Sequence, residues 1–261
     1  ITNSVSSSVS VIDTGANTIL TTIGVGSNPN GVAVAPNGAK VYVANYNSNT
    51  VSVIDTSANA VSSTIGVGVN PSGVAVTPDG AKAYVSNTGD NTVSVVDATS
   101  SSVSTTIPVG ITPWGAVITP DGTKAYISNP GSNTVSVINT STNTVSTTIT
   151  VGSSPYGVVV TPDGTKAYVA NWNSGTVSVI NTSTNTVSNT IPVGANPFGV
   201  AVTPDGMNVY VASHGPGTVS VINTSTNTVT GSPIIVGSGP YGISVTPDGT
   251  RAYVANHNSS T

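Results

Sequence analysis

The sequence has 261 residues, of which 5 are Lys or Arg and 9 are acidic, so 5% of the chain is charged and the formal net charge is −4. The absence of a basic cluster argues against nucleic acid and anionic membranes as partners, and no apolar run is long enough to insert into a bilayer. The absence of Cys excludes disulfides, thiolate metal sites and cysteine nucleophiles. There is no Glu, whereas Gly, Pro, Val, Ile and Thr are abundant, so the composition disfavours helices and predicts an all-β protein.

An internal repeat sets the order of the predicted elements. A Pro-x-Gly element occurs six times, and its glycines are separated by 42, 42, 42, 42 and 43 residues. The six copies are Pro29–Gly31, Pro71–Gly73, Pro113–Gly115, Pro155–Gly157, Pro197–Gly199 and Pro240–Gly242. A repeat of this length that contains four alternating runs is typical of one β-propeller blade.

The second repeat illustrates the four strands, which we label A to D from the centre outwards. Strand A is predicted at Gly73–Thr77, and strand B at Ala83–Ser86 follows a Pro-Asp-Gly turn. Proline presets φ, aspartate bonds its own backbone and glycine takes a positive φ in such a turn. Strand C is predicted at Thr92–Asp97 and strand D at Val103–Val109.

The repeat arithmetic predicts a single six-bladed propeller with four antiparallel strands per blade over residues 9–261. The chain enters in strand C and ends after strand B, so the N-terminal strands C and D are expected to pair with the C-terminal strands A and B and to close the ring. Residues 1–8 are then surplus, and two interpretations remain open for them: a surface tail, or a strand donated to a neighbouring subunit. The additional residue of the last spacing is placed at 230–233, as a bulge.

The strand B motifs resemble those of the YVTN β-propeller family. Tyr-Val-Ala-Asn occurs at 42–45, 168–171 and 253–256, with Tyr-Val-Ser-Asn at 84–87 and Tyr-Ile-Ser-Asn at 126–129, whereas the copy at 210–213 ends in Ser. The resemblance implies a propeller of the kind found in archaeal surface-layer proteins and related secreted bacterial proteins. It implies no particular activity, and members of the family often have seven blades.

The predicted face formed by the A–B and C–D turns carries nearly all charges. All five cations follow the A–B turn, and eight of the nine acids lie in that turn or at the end of strand C. Neighbouring Asp and Lys are expected to form exposed ion pairs of little energetic value. Each site offers a single acid, so no metal site and no cofactor are predicted.

The predicted opposite face is aromatic and nearly uncharged. Rings are expected to converge there around one mouth of the central channel, from the x position of Pro-x-Gly and from the residue after strand B. These candidate binding or interface residues are Tyr46, Trp114, Tyr156, Trp172, Phe198, His214, Tyr241 and His257. Three interpretations remain open: packing between blades, contact with a partner or subunit, and a pocket for a small ligand or glycan.

Catalytic candidates are few, and the sequence predicts a protein that is not an enzyme. Only His214 and His257 could act as general bases near neutral pH, and there is no nucleophile-elbow motif. The strand B tyrosines recur in every repeat, so they are assigned to blade packing.

Four asparagines lie in N-glycosylation sequons: Asn139, Asn181, Asn223 and Asn258. The first three stand where earlier repeats have Asp, so the asparagine could equally be a turn former.

Together these features predict a secreted or cell-surface structural protein that associates with itself into a layer or filament, because few charges mean little repulsion between copies. A glycan or another component of the cell envelope is the other candidate partner. The alternative function is a monomeric propeller that binds a glycan or peptide at the aromatic mouth.

Overall fold

A computed structural model describes residues 1–259, and they form only strands and turns. No helix long and apolar enough to cross a membrane occurs within these residues. The fold is an all-β, six-bladed propeller built from antiparallel sheets, as the repeat predicts. Five sheets have a full set of strands, and two further sheets contain three strands at the N-terminal end and two strands at the C-terminal end.

The strands of the first three sheets are as follows. The first contains β1 (Thr2–Asn3), β2 (Ser8–Asp13) and β3 (Thr18–Gly24). The second contains β4 (Pro29–Val34), β5 (Lys40–Asn45), β6 (Thr50–Asp55) and β7 (Ala60–Gly66). The third contains β8 (Pro71–Val76), β9 (Lys82–Asn87), β10 (Thr92–Asp97) and β11 (Ser102–Pro108).

The remaining sheets repeat the same order. The fourth contains β12 (Ala116–Ile118), β13 (Lys124–Asn129), β14 (Thr134–Asn139) and β15 (Thr144–Thr150). The fifth contains β16 (Pro155–Val160), β17 (Lys166–Asn171), β18 (Thr176–Asn181) and β19 (Thr186–Pro192). The sixth contains β20 (Pro197–Val202), β21 (Asn208–Ser213), β22 (Thr218–Asn223), β23 (Thr228–Val229) and β24 (Ile234–Ile235). The last contains β25 (Pro240–Val245) and β26 (Ala252–Asn256).

The described chain forms two compact units, and their division falls within the fourth sheet. The first unit comprises residues 1–118, 122–127 and 138–145, and the second comprises residues 119–121, 128–137 and 146–259. We call them the N-terminal and the C-terminal unit.

Strands B and C form the core of each unit. In the N-terminal unit, Tyr42, Tyr84 and Tyr126 are at most 1% exposed, and Tyr168 is fully buried in the C-terminal unit. Burial of one such large side chain stabilises the fold by about 1.5–3 kcal/mol. The assignment of strand B tyrosines to the core is therefore confirmed for these four, whereas Tyr210 and Tyr253 are only half-buried.

The predicted pairing that closes the ring is wrong for β2. One edge of β2 is taken by β1, with Thr2 opposite Val9 and Asn3 opposite Ser8, and the other edge is taken by β3. Thr2 and Asn3 align with the last two residues of strand B in the repeat, and the connection to β2 is short, so closing this hairpin costs little chain entropy. The first residues of the chain thus form a strand of the first sheet and not a tail.

The bulge expected at 230–233 interrupts strand D of the sixth sheet. Both β23 and β24 pair with β22, on either side of the interruption. Gly231 lies within it at φ 68°, a conformation that glycine adopts without steric cost.

Candidate binding surface

The glycine of Pro-x-Gly holds the starts of neighbouring strands A close together. A Cβ atom on Gly157 would lie 2.2 Å from the carbonyl oxygen of Phe198, and one on Gly199 would lie 2.3 Å from that of Tyr241. Only glycine permits this backbone approach. This approach brings three residues into one row: Tyr156, which precedes Gly157, Phe198, which precedes Gly199, and Tyr241 of the next repeat.

Tyr156, Phe198 and Tyr241 form this row in the C-terminal unit. The rings of Tyr156 and Phe198 are stacked with centroids 4.8 Å apart, and those of Phe198 and Tyr241 are 4.0 Å apart. Each side chain is half-buried. Centroid separations in this range are those of favourable aromatic pairs. The row is therefore a continuous surface of rings with solvent on one side.

Trp172, which follows β17, packs edge-on against the same row. Its ring centroid is 6.0 Å from that of Tyr156, 5.8 Å from that of Phe198 and 6.3 Å from that of Tyr241, with interplanar angles between 61° and 87°. His214 lies 5.2 Å from Trp172. The tryptophan thus joins the inner row to the loops between strands B and C.

The two histidines flank Tyr241. The rings of His214 and His257 each lie 5.6 Å from that of Tyr241. His214 is half-buried, whereas His257 is exposed and its Nδ1 lies 3.0 Å from Oδ1 of Asn258. The six rings together, which we call the aromatic surface, are those of Tyr156, Trp172, Phe198, His214, Tyr241 and His257.

No acidic residue, lysine or arginine lies in the loops around the aromatic surface. These loops comprise residues 151–154, 172–175, 193–196, 214–217, 236–239 and 257–259; Trp172, His214 and His257 lie in them, and the other three rings lie at the starts of β16, β20 and β25. Burial raises the pKa of the phenols of Tyr156 and Tyr241, and for Tyr241 the nearby Tyr156 adds to the effect. Both phenols therefore stay protonated at neutral pH and can donate hydrogen bonds.

The N-terminal unit carries a smaller version of this surface. The rings of Tyr46 and Trp114 are 6.4 Å apart. Between them in the repeat order stand Ser72 and Thr88, whose hydroxyls contact each other and the carbonyl oxygen of Pro113. The structure thus brings all eight predicted residues into ring contacts, two in this unit and six in the other.

At the opposite ends of the strands, lysine side chains bond backbone carbonyl oxygens of the following sheet, and the predicted ion pairs with neighbouring aspartates are a minor effect. Lys82 Nζ donates to the carbonyl oxygen of Thr140, and Tyr84 donates to the same oxygen and to Asn143 Oδ1, so both side chains hold the C–D turn of the following sheet. The expected local Asp–Lys pair is a minor effect, because the Thr77 hydroxyl is the main cause of the lowered pKa of Asp79, and Lys82 is the smallest. The same lysine contact recurs from Lys40 to Ala98 and from Lys166 to Thr224.

The first three sequon asparagines lie in well-formed turns. Asn139 Oδ1 accepts hydrogen bonds from the backbone N–H and the hydroxyl of Ser141 and from the N–H of Thr142. Asp55 makes the corresponding turn in its own repeat, where the Ser57 hydroxyl is the main cause of its lowered pKa. Asn181 and Asn223 repeat the geometry of Asn139. Turn formation thus accounts for an asparagine here, and glycosylation stays a prediction.

Ser260, the last residue of the Asn258 sequon, lies outside the described residues.

Asp90, the one acid predicted on the aromatic face, accepts a hydrogen bond from the N–H of Val69 at 2.6 Å. In other repeats a serine hydroxyl does this, as Ser174 does for Ser153, so Asp90 caps a loop.

The buried asparagine of the Tyr-Val-Ala-Asn motif has a function that the sequence analysis missed. Asn171 Nδ2 donates to the hydroxyls of Thr176 and Ser178, and a Cβ on Gly152 would lie 2.6 Å from the Asn171 amide. The asparagine thus ties strand B to strand C beneath the loop between strands D and A. The joint recurrence of Val-Gly and Asn in the repeats was the signal that could have revealed this contact.

Residues 1–259 contain no group of three or more His, Asp or Glu side chains that could hold a metal ion. One open groove of about 380 Å³ lies in the C-terminal unit. Hydroxyl side chains form much of its lining, from Thr150, Ser174, Thr176, Ser178 and Thr190.

Comparison with known proteins places the chain among β-propeller proteins. A family model described as "YNCE-like beta-propeller" matches residues 121–215, and none of the curated proteins matches. A chain of Kuenenia stuttgartiensis hydrazine synthase is similar at 25% identity, with a TM-score of 0.89 over 98% of this chain and 88% of that one.

Two further structures show the fold alone. A functionally unknown protein from Desulfotomaculum acetoxidans is 17% identical, with a TM-score of 0.70 over 84% of this chain and 79% of that one. A chain of the mitotic checkpoint complex is 14% identical, with a TM-score of 0.87 over 97% of this chain and 79% of that one. These titles include an enzyme and a checkpoint assembly, so they single out no activity.

Proposed function

We propose that this protein is a carbohydrate-binding propeller without catalytic activity and that four rings of the aromatic surface, those of Tyr156, Trp172, Phe198 and Tyr241, form its binding site for a neutral sugar. The observation that carries the proposal is the row of three half-buried rings, Tyr156, Phe198 and Tyr241, beside loops that contain no Asp, Glu, Lys or Arg. Such rings offer flat apolar faces against which the C–H faces of a sugar can pack.

The chemistry of the rim supports a carbohydrate over an apolar peptide side chain. The loops around the rings are rich in hydroxyl and amide groups, among them Ser153, Asn173 and Asn258. Two phenols in the row also remain hydrogen-bond donors. Binding sites for small polar ligands combine apolar walls with a few placed polar groups in this way.

Trp172→Ala tests the proposal on an array of neutral oligosaccharides. The wild-type protein is expected to retain one or more of them, and the variant should bind at least about tenfold more weakly, because it removes the ring that packs against all three members of the row. Trp172→Phe keeps an aromatic ring and should retain most of the binding. Trp114→Ala, in the N-terminal unit, is the matched control and should leave binding to the aromatic surface unchanged.

Equal binding by the wild-type protein and Trp172→Ala would contradict the proposal, as would an array on which the wild-type protein binds nothing. Thermal unfolding of each variant, followed by circular dichroism, separates lost contacts from lost fold.

The second candidate is self-association of a secreted or surface protein, as in surface layers. It is favoured by the low charge and by Ile19 and Leu20 of β3, which are 64% and 65% exposed. Leu20 takes the place of the serine that, as Ser62 or Ser104 does in other repeats, donates to a strand C carbonyl.

Light scattering and negative-stain electron microscopy of the wild-type protein and Leu20→Ser test this candidate. The wild-type protein is expected to form filaments or sheets, and Leu20→Ser is expected to abolish them. Monodisperse particles of the wild-type protein at about 26 kDa, the mass of one chain, would exclude it.

A further inference from the structure

The two histidines have no place in the binding of a neutral sugar, although they stand at one end of the aromatic surface. They occupy equivalent positions in adjacent repeats, directly after β21 and after β26. In the four earlier repeats this position holds Tyr46, Thr88, Pro130 and Trp172. The pair is therefore a local feature of this end of the aromatic surface.

Both histidines are fixed by their backbones. The N–H of His214 donates to the carbonyl oxygen of Asn196, and the N–H of His257 donates to that of Gly239. The side chain of His214 also abuts Gly239, because a Cβ there would lie 3.0 Å from Nε2. Both rings are thus held in contact with Tyr241.

The groups that face the two rings are uncharged. His214 faces Trp172 and Tyr241 and the loop of residues 236–239, and His257 faces Tyr241 and Asn258. Of these groups only the phenol of Tyr241 titrates, and burial keeps it neutral.

The charged side chains of the neighbouring strands lie far from the pair. Asn208 in β21 has taken the place of the strand B lysine, and the nearest acid in that repeat is Asp205 in the A–B turn. Arg251 and Asp248 lie before β26, at the end of the strand opposite His257. A strand of this length spans roughly 17–20 Å, which exceeds the screening length of about 10 Å at 0.1 M salt.

Histidine is the side chain that ordinarily changes its charge between about pH 5 and pH 8. Protonation of both imidazoles would therefore place two cations at this end of the aromatic surface, where the facing groups among the described residues are uncharged. Each imidazolium lies against an aromatic ring, which favours the cation, and donates from both of its nitrogens.

We infer that the His214–Tyr241–His257 end of the aromatic surface is an acid-dependent subsite for the carboxylate of an acidic carbohydrate such as a polyuronate. The inference rests on the proposed function, and it adds acidic carbohydrates to the neutral sugars that the proposed site binds. A carboxylate at this place receives charge-assisted hydrogen bonds from the imidazolium groups. The sugar ring that carries it packs on Tyr241.

Calorimetric titration at about pH 5 and about pH 7.5 tests the inference. The two ligands are trigalacturonate and its uncharged counterpart α-1,4-galactotriose. The wild-type protein is expected to bind trigalacturonate about tenfold more tightly at the lower pH, whereas binding of galactotriose stays within about twofold. The variant His214→Gln/His257→Gln keeps polar side chains of similar size and should lose the pH dependence while it retains galactotriose. A pH dependence that persists in this variant, or wild-type binding of trigalacturonate that is equally tight at both pH values, would overturn the inference.

A second measurement keeps the inference testable if neither trisaccharide binds, an outcome that refutes the proposed function alone. In Trp114→Phe, Trp172 is the one remaining tryptophan, and its fluorescence reports on the neighbouring His214. Addition of inorganic sulfate at constant ionic strength should change this fluorescence at about pH 5 and leave it unchanged at about pH 7.5. Loss of the response in Trp114→Phe/His214→Gln supports the subsite, and the absence of any response to sulfate at about pH 5 refutes it.

Discussion

At the residue scale, two glycines of the repeat differ sharply in what surrounds them. A Cβ on Gly199 would meet the Tyr241 carbonyl oxygen at 2.3 Å, whereas one on Gly66 would meet nothing within 4 Å. Gly199→Ala should therefore lower the free energy of unfolding by about 2–4 kcal/mol, because the neighbouring backbone must move. Gly66→Ala is the matched control and should change it by no more than about 0.5 kcal/mol.

Urea unfolding of both variants measures the difference. Since Tyr241 belongs to the aromatic surface, Gly199→Ala should also weaken any ligand that the surface binds. Similar unfolding midpoints for the two variants would show that the close approach of the strands is not required for stability.

The sequence predicted which residues share the aromatic surface, but not how their rings contact one another. The positions of Tyr156, Phe198 and Tyr241 in the repeat predicted that they share one surface, and they do. Their stacking was not predictable, because it depends on the backbone approach at the glycines. The true partner of Lys82 was not predictable either, since a backbone carbonyl oxygen such as that of Thr140 has no sequence signature.

At the scale of the element, the strand B tyrosines Tyr84 and Tyr168 each secure the C–D turn of the following sheet through their hydroxyls. Tyr84 donates to Asn143 Oδ1 at 2.7 Å, and Tyr168 donates to Asn227 Oδ1 at 2.8 Å. Burial, and to a lesser degree a nearby aspartate, raises the pKa of both phenols to about 12. Unfolded tyrosine ionises near pH 10, so between about pH 10 and pH 12 the unfolded chain loses protons that the folded protein retains.

The stability that these phenols contribute is therefore complete below about pH 10 and falls as the pH rises towards 12. We expect the urea midpoint to drop in this interval and Tyr84→Phe/Tyr168→Phe to flatten the drop. At neutral pH the same variant should be less stable by about 1 kcal/mol for each lost hydroxyl. Tyr46→Phe, which alters a loop tyrosine outside the core, is the control, and an equally steep alkaline decline in the double variant would contradict the assignment.

Most elements were predictable because the repeat aligns their turn residues. The third sheet shows the accuracy: strand B was predicted at 83–86 and observed at Lys82–Asn87, and strand C was predicted and observed at Thr92–Asp97. The two-residue β1 was missed, although Asn3 makes the contacts of a strand B asparagine, donating to Ser8 and Ser10. An element this short has too few residues for a periodicity to identify it.

At the scale of the whole molecule, the repeats are nearly identical in sequence but unequal in burial. The six residues of β17 include five that are buried, whereas the five residues of β26 include none, and β4 exposes Val32 and Val34 by 43% and 59%. In repeat proteins the stability is approximately a sum of repeat and neighbour contributions, so identical motifs do not guarantee equal local stability. Composition and spacing alone therefore predicted the architecture and not its distribution of stability.

Hydrogen exchange should follow this distribution. The amides of β17 and β18 are expected to exchange only through global unfolding, whereas those of β25 and β26 should exchange through local opening, at least about tenfold faster, because fewer buried contacts are lost. Exchange read by mass spectrometry on peptides from the two regions compares them within one sample. Uniform protection across these peptides would mean that the chain unfolds as a single cooperative unit, and burial in the individual strands would then have no bearing on their opening.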